Sequence, residues 1–231
     1  MSRYAEVVRR AEAAGLSVRG ACHLAGADSG FELPPLSTAA TLVLLGFTGS
    51  RQWPVFAAAA EARDGEPDPL DRWSRRLIDS LAAEFGATAC YPSGVPPLPF
   101  QRLALSCEPV HHSPLGLLIH PRWGLWHAYR GALAFDEVLE IPPPAAVPRP
   151  CDSCQGQPCL SACPVGAFRD GRFDLEACVG HVASELGHDC RNGGCRARRA
   201  CPVGTESTYV AAQQSFHMEA FLRACRGAVR R

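Results

Sequence analysis

Apolar residues first recur at helical spacing: Tyr4, Val7, Val8 and Ala11 share one side of Ser2–Ala14, with Ser2 placed to cap the first turn and Gly15 to end it. Leu16–Cys22 then reads as a short strand. Thr41–Phe47 is a stronger one, apolar at nearly every position, as in a strand covered on both faces. The run Gly46-Phe47-Thr48-Gly49-Ser50 that ends it reads as a tight strand-to-helix turn; its spacing is not that of a phosphate-binding loop and no lysine follows. Helices are expected over Trp53–Ala62 and Asp68–Phe85, the second with Leu70, Trp73, Leu77, Ile78 and Leu81 on one face and Gly86 as its stop. Ala87–Tyr91 suggests another strand, and Pro92, Pro96, Pro97 and Pro99 make the next segment rigid and neither helical nor part of an inner strand.

Further on, Leu115–Ile119 and Leu125–Phe135 predict a hairpin turning through His120-Pro121-Arg122-Trp123-Gly124. Residues 141–150 are half proline (Pro142, Pro143, Pro144, Pro148, Pro150), which fixes φ and removes backbone donors, so the stretch reads as a stiff linker. A closing helix is expected over Thr205–Arg226, with Tyr209, Ala212, Phe216 and Phe221 on its buried face and Gly227 as its stop. The alternation of helix and strand points to an α/β or α+β body over residues 1–140, a linker over 141–150 and a smaller domain over 151–231.

The smaller domain carries the chemistry. Of twelve cysteines, eight lie between Cys151 and Cys201, whereas the first 150 residues hold only Cys22, Cys90 and Cys107. Cys151-Asp152-Ser153-Cys154, Cys159 and Cys163-Pro164 nearly reproduce the iron-sulfur run C-x2-C-x2-C-x3-C-P, with a middle spacer of four residues in place of two. Cys178, Cys190, Cys195 and Cys201-Pro202 repeat the theme, and both final cysteines are followed by Pro-Val-Gly. Thiolate-only ligation selects iron-sulfur or zinc over hard cations. In two-cluster ferredoxins the cysteine before each proline ligates the other cluster. Applied here, Cys151, Cys154, Cys159 and Cys201 would hold one [4Fe-4S] cluster, and Cys163, Cys178, Cys190 and Cys195 a second. Two four-cysteine zinc sites are the alternative. A disulfide framework ranks below both, because the N-terminus shows no export signal, which places the chain in the cytoplasm. Cys225, within the closing helix, reads as a small buried hydrophobe.

Charge narrows the partners. Lys plus Arg equals Asp plus Glu at 23 each over 231 residues, so no overall field draws in nucleic acid or an anionic membrane, and no apolar run is long enough to span a bilayer. Arg191, Arg196, Arg198 and Arg199 cluster beside the second tetrad. They read either as a docking face for an acidic electron donor, of flavodoxin or ferredoxin reductase type, or as local compensation for anionic thiolate clusters.

Cys151–Cys201 resembles the ferredoxin-like module of epoxyqueuosine reductases and corrinoid reductive dehalogenases, and Cys178-Val-Gly-His-Val-Ala-Ser-Glu185 is similar to the C-I-S-Y-L-T-I-E segment of the former. His120-Pro-Arg-Trp-Gly-Leu-Trp-His-Ala-Tyr-Arg-Gly131 resembles the H-P-x-x-G-x-W-x-A-x-R-G segment of cobalamin-processing proteins of the CblC type. Both resemblances imply a nitroreductase-like α+β body adapted to a corrinoid, and the one to the reductases implies adjacent clusters that reduce its cobalt. No G-W-x-G-K-x segment of the epoxyqueuosine reductases occurs in the sequence.

Taken as residues, two tryptophans, two histidines and two arginines within this short stretch suit the aromatic wall of a cleft for a flat, bulky ligand. Taken one at a time, Trp123 and Trp126 read as core anchors. The expected pocket residues are His120, Trp123, Trp126 and Arg130, the last as partner for a ligand phosphate. The functional expectation is an iron-sulfur redox protein passing single electrons to a cobalamin-type cofactor. A ferredoxin-like electron carrier without corrinoid, or a reducing cobalamin chaperone, stands as the alternative.

Overall fold

Ser2 opens the first helix, α1 (Arg3–Ala13): its Oγ accepts the Ala5 backbone N–H at 3.3 Å, and Val7 and Ala11 are the residues α1 buries. The computed structural model describes residues 2–24, 36–93, 97–143 and 145–225. Pro96, Pro144, Arg226 and Gly227 lie outside them. Contact density divides the chain into two units, one of Met1–Pro109 with His127–Ala146, the other of Val110–Trp126 with Val147–Arg231. The passage from Ala146 to Val147 falls inside the proline-rich stretch, and Val110–Trp126 packs with the cysteine-rich unit.

The first unit is built on one sheet of β1 (Ser17–His23), β2 (Thr41–Thr48), β3 (Thr88–Cys90) and β6 (His127–Phe135), in the order β1-β2-β6-β3. Every pairing is antiparallel, so the body is α+β and not a parallel α/β layer. Central β2 is buried from Thr41 through Phe47, as its apolar run requires. Gly46 corrects the expected turn: it lies within β2, where a Cβ would come 1.9 Å from the Ala128 carbonyl oxygen of β6. That close approach explains the glycine.

α2 (Trp53–Ala58) gives way to a 3-10 turn at Ala60–Ala62, which splits the expected single helix. Phe56 of α2 and Phe47 of β2 each pack edge-on against Trp73 of α3 (Pro69–Phe85), with centroids 5.8 and 5.7 Å apart. Gly86 ends α3 with φ at 61°. α4 (Phe100–Cys107) was not foreseen, because its eight residues follow prolines and carry only Phe100, Leu103, Ala104 and Cys107 as a buried face. It brings Cys107 against Cys22 of β1, and the two form a disulfide. Just beyond it, Glu108 accepts two hydrogen bonds from Arg19 Nη2, at 3.1 and 3.2 Å, and a third from the Tyr129 hydroxyl. Both charged side chains are fully enclosed.

In the second unit β4 (His111–His112) pairs with β5 (Leu118–Ile119). The expected hairpin therefore does not form. β6 pairs instead with β2, and with β3 over Ala132–Ala134. α5 (Pro158–Ser161) is followed by the short ribbon β7 (Phe168–Arg169) and β8 (Arg172–Phe173). Asp174 then caps α6 (Leu175–Ala183), accepting the Ala177 N–H at 2.9 Å. α7 (His188–Gly193), α8 (Arg196–Arg199) and α9 (Ala211–Cys225) complete the unit. α9 starts later than expected, after a 3-10 turn at Thr205–Ser207. It buries Gln213, Gln214 and Leu222, while Ala212 is exposed. Gln214 remains inside because its side-chain amide donates to the Tyr209 carbonyl at 2.7 Å. Among the described residues no helix is long and apolar enough to cross a membrane.

Candidate metal centre

The eight cysteines come together as two sets inside the second unit. Cys151, Cys154, Cys159 and Cys201 line one small cavity, and Cys163, Cys178, Cys190 and Cys195 line another of about 450 Å³. Each set draws from both halves of the motif: Cys201 joins the early cysteines, and Cys163 the late ones. Local structure explains how. Cys163-Pro164-Val165-Gly166 closes a turn, with the Gly166 N–H donating to the Cys163 carbonyl at 3.1 Å and φ of Gly166 at 57°. The turn redirects the chain directly after Cys163. Among the described residues no three His, Cys, Asp or Glu side chains converge where a single ion could sit. The thiols are instead spread over cavity walls.

Burial pushes the thiols of Cys151, Cys159, Cys178, Cys195 and Cys201 upward, Cys178 to about 12, with neighbouring thiols of the same set adding to the rise. Backbone N–H groups oppose it: those of Arg198 and Ala197 at Cys195, and that of Val203 at Cys201. The Ala167 N–H donates to the Cys163 sulfur at 3.3 Å. Such donors favour electron-rich sulfur and tune the potential of whatever metal it binds.

The four arginines beside the second set all have partners. Arg191 donates to the Val182 carbonyl at 2.8 Å and so satisfies the end of α6. Arg196 and Arg199 both pair with Asp189, at 3.5 and 2.6 Å. Arg198 donates to the Leu125 carbonyl at 2.6 Å, with its guanidinium 4.6 Å from the ring centres of both Trp126 and Tyr209.

The four expected pocket residues are divided between the units. Arg130 lies on β6 of the first and pairs with Asp71 of α3 at 3.1 Å. His120, Trp123 and Trp126 belong to the second. Trp126 is 1% exposed and packs edge-on against Tyr209. His120 is buried and stacks on Trp123 with centroids 4.0 Å apart; its Nδ1 accepts the Arg122 and Trp123 N–H groups, at 3.0 and 3.3 Å. His120 and Gly124 exchange backbone hydrogen bonds of 2.9 and 2.8 Å, closing the turn. The sequence reading missed the Arg19–Glu108–Tyr129 cluster, because nothing in the spacing of these residues signals their meeting.

An antiparallel α+β body joined to a helical unit with two thiol-lined cavities defines the class: the fold of the epoxyqueuosine reductases. Solved structures similar to this chain include a selenomethionine-labelled epoxyqueuosine reductase, at 17% identity and a TM-score of 0.53 over 92% of this chain and 68% of that one. Another, an epoxyqueuosine reductase with an epoxyqueuosine-modified tRNA-Tyr stem loop, matches at 15% identity and 0.52 over 90% and 67%. The enzyme from Streptococcus thermophilus matches at 17% and 0.52 over 88% and 66%. The likeness extends over both units and is one of fold. It lends no support to a separate CblC-type body. No protein-family model and no curated protein matches the sequence.

Proposed function

We propose that this chain is an iron-sulfur redox protein that passes single electrons through two [4Fe-4S] clusters, one in each cysteine-lined cavity. The observation that carries the reading is the sorting of eight thiols into two sets of four around separate cavities, each set completed by the cysteine that precedes a proline in the other half. Four sulfurs around a void suit four irons at the corners of a cube better than one tetrahedral zinc. Cys151, Cys154, Cys159 and Cys201 would hold one cluster, and Cys163, Cys178, Cys190 and Cys195 the other. Once bound, the clusters supply one-electron chemistry. The chain's own part is to exclude water with Leu115, Ile119 and Ala197 and to donate backbone N–H groups to sulfur, while burial keeps the thiols protonated until metal displaces the proton. This reading implies the cytoplasm as compartment and a redox protein as electron donor, although the Cys22–Cys107 disulfide of the body is uncommon where thiols are kept reduced.

The electron acceptor we propose is a cobalamin-type cofactor, by analogy with the fold. Transfer of the epoxyqueuosine substrate is not part of the proposal, because the G-W-x-G-K-x segment is missing from the sequence. A second reading, electron transfer without a corrinoid, is favoured by the engagement of His120 and Trp126 in packing within their own unit. Anaerobic reconstitution tests the first claim: about eight iron and eight sulfide per chain are expected, with the electron paramagnetic resonance of reduced cubanes. Zinc in place of iron, or none of either, overturns it. Addition of cobalamin separates the two readings. A shifted corrin spectrum with quenched tryptophan fluorescence supports the first, and unchanged spectra the second.

A further inference from the structure

A fifth thiol, Cys225, packs against the buried cluster that also carries Cys178 and Cys190 of the second set. Met218 and Phe221 of α9 line the cavity of that set, and Cys225 follows Phe221 by four residues and Met218 by seven. Steps of three and four keep all three side chains on one stripe of the helix, so the stripe that walls the cavity continues to Cys225. Packing agrees independently: Cys178 and Cys225 both sit against the buried cluster of Val179, Val182, Cys190 and Leu222. Of the second set, Cys178 is, like Cys225, partly buried against that cluster, whereas Cys190 is part of its buried core.

We propose that Cys225 is an alternative ligand of the second iron-sulfur site, able to take the iron otherwise held by Cys178. The inference rests on the two-cluster reading and adds to it a fifth, exchangeable sulfur. The exchange moves no electrons. Cys225 releases its proton to solvent and its thiolate binds iron, while the Cys178 thiolate leaves the iron and takes up a proton. α6 and α9 each contribute one of the two exchanging sulfurs, so the choice between them ties the cluster to the packing of those helices.

The test compares wild type, Cys178→Ala, Cys225→Ala and the double variant, each reconstituted anaerobically, by iron and sulfide content and by the electron paramagnetic resonance of the reduced protein. Wild type and Cys225→Ala are expected to hold about eight iron, and the double variant about four. Cys178→Ala is expected to stay near eight with a changed spectrum. A fall to about four in Cys178→Ala alone, equal to the double variant, overturns the proposal. Wild type with about eight iron would still uphold the two-cluster reading in that case; wild type without clusters removes both. Should the double variant not fold, alkylation mapped by mass spectrometry decides. Cys225 must be at least about tenfold slower to label in reconstituted Cys178→Ala than in reconstituted wild type, because a metal-bound sulfur is a poor nucleophile. Equal labelling sinks the idea.

Discussion

Gly124 lies directly against Val203: a Cβ on the glycine would stand 1.9 Å from the Val203 carbonyl oxygen, and φ of Gly124 is 54°. The contact is reciprocal, since a Cβ on Gly204 would come 2.3 Å from the Trp123 carbonyl carbon. The tryptophan-bearing turn and the Pro-Val-Gly that follows Cys201 are therefore locked backbone to backbone beside the first cysteine set. Gly124→Ala should destabilise the second unit by at least about 2 kcal/mol, from left-handed strain plus overlap. Gly116 has φ at 72° but nothing within 4 Å of its would-be Cβ. Gly116→Ala should therefore cost only the strain, about 1 kcal/mol. Thermal unfolding of both variants checks this, and equal losses would remove the steric argument.

The crossed pairing of cysteines makes a prediction that single substitutions cannot. Cys154→Ala/Cys201→Ala removes two ligands from one set, so about four iron should survive per chain. Cys154→Ala/Cys163→Ala damages both sets and should leave close to none. Iron analysis of the two double variants reads out the partition. If instead the second retains about four iron and the first close to none, the chain pairs its cysteines in sequence order.

Glu108 and Arg19 form an enclosed pair in the body. Burial raises the Glu108 carboxyl, while Arg19 and Tyr129 pull it back. Glu108→Leu strands the Arg19 charge and should cost about 3–5 kcal/mol. Adding Arg19→Met removes the stranded charge, and denaturant midpoints should show most of the loss recovered. A double variant no better than Glu108→Leu would mean that the stranded Arg19 charge is not the source of the loss.

Cys90 stands apart from both sets, and burial alone lifts its thiol from 9.0 to about 11. Because the folded value is the higher, its contribution to stability is intact below pH 9 and is lost as pH rises through about 11. Stability measured across that window should fall less steeply in Cys90→Ala than in wild type. At pH 8 the folded chain should leave Cys90 unlabelled by iodoacetamide until it unfolds. Rapid labelling at that pH would contradict the burial.

Elements with a strong local signal were legible before any coordinates. α1 with its Ser2 cap, β2 with its unbroken apolar run, and α3 between Pro69 and Gly86 all follow from short-range pattern. α4 was not legible, being short and preceded by prolines, and the hairpin was misread because Leu118 and Ile119 carry an apolar pair that any sheet could accept. They pair with His111 and His112 of β4. Buried glutamines on α9 escaped for a related reason, since polar residues read as exposed until a partner such as the Tyr209 carbonyl is known.

The sequence by itself determined which atoms are available for metal chemistry. Cysteine spacing is covalent, and the Cys-Pro-Val-Gly turns act over four residues. Tertiary structure alone decided which thiols pack against the same buried cluster as Cys225, that Trp126 is enclosed between Tyr209 and Arg198, and that Arg19 meets Glu108 across 89 positions of chain. Those meetings depend on long-range packing, in which burial and pairing are settled by every neighbouring element at once and leave no periodic trace along the chain.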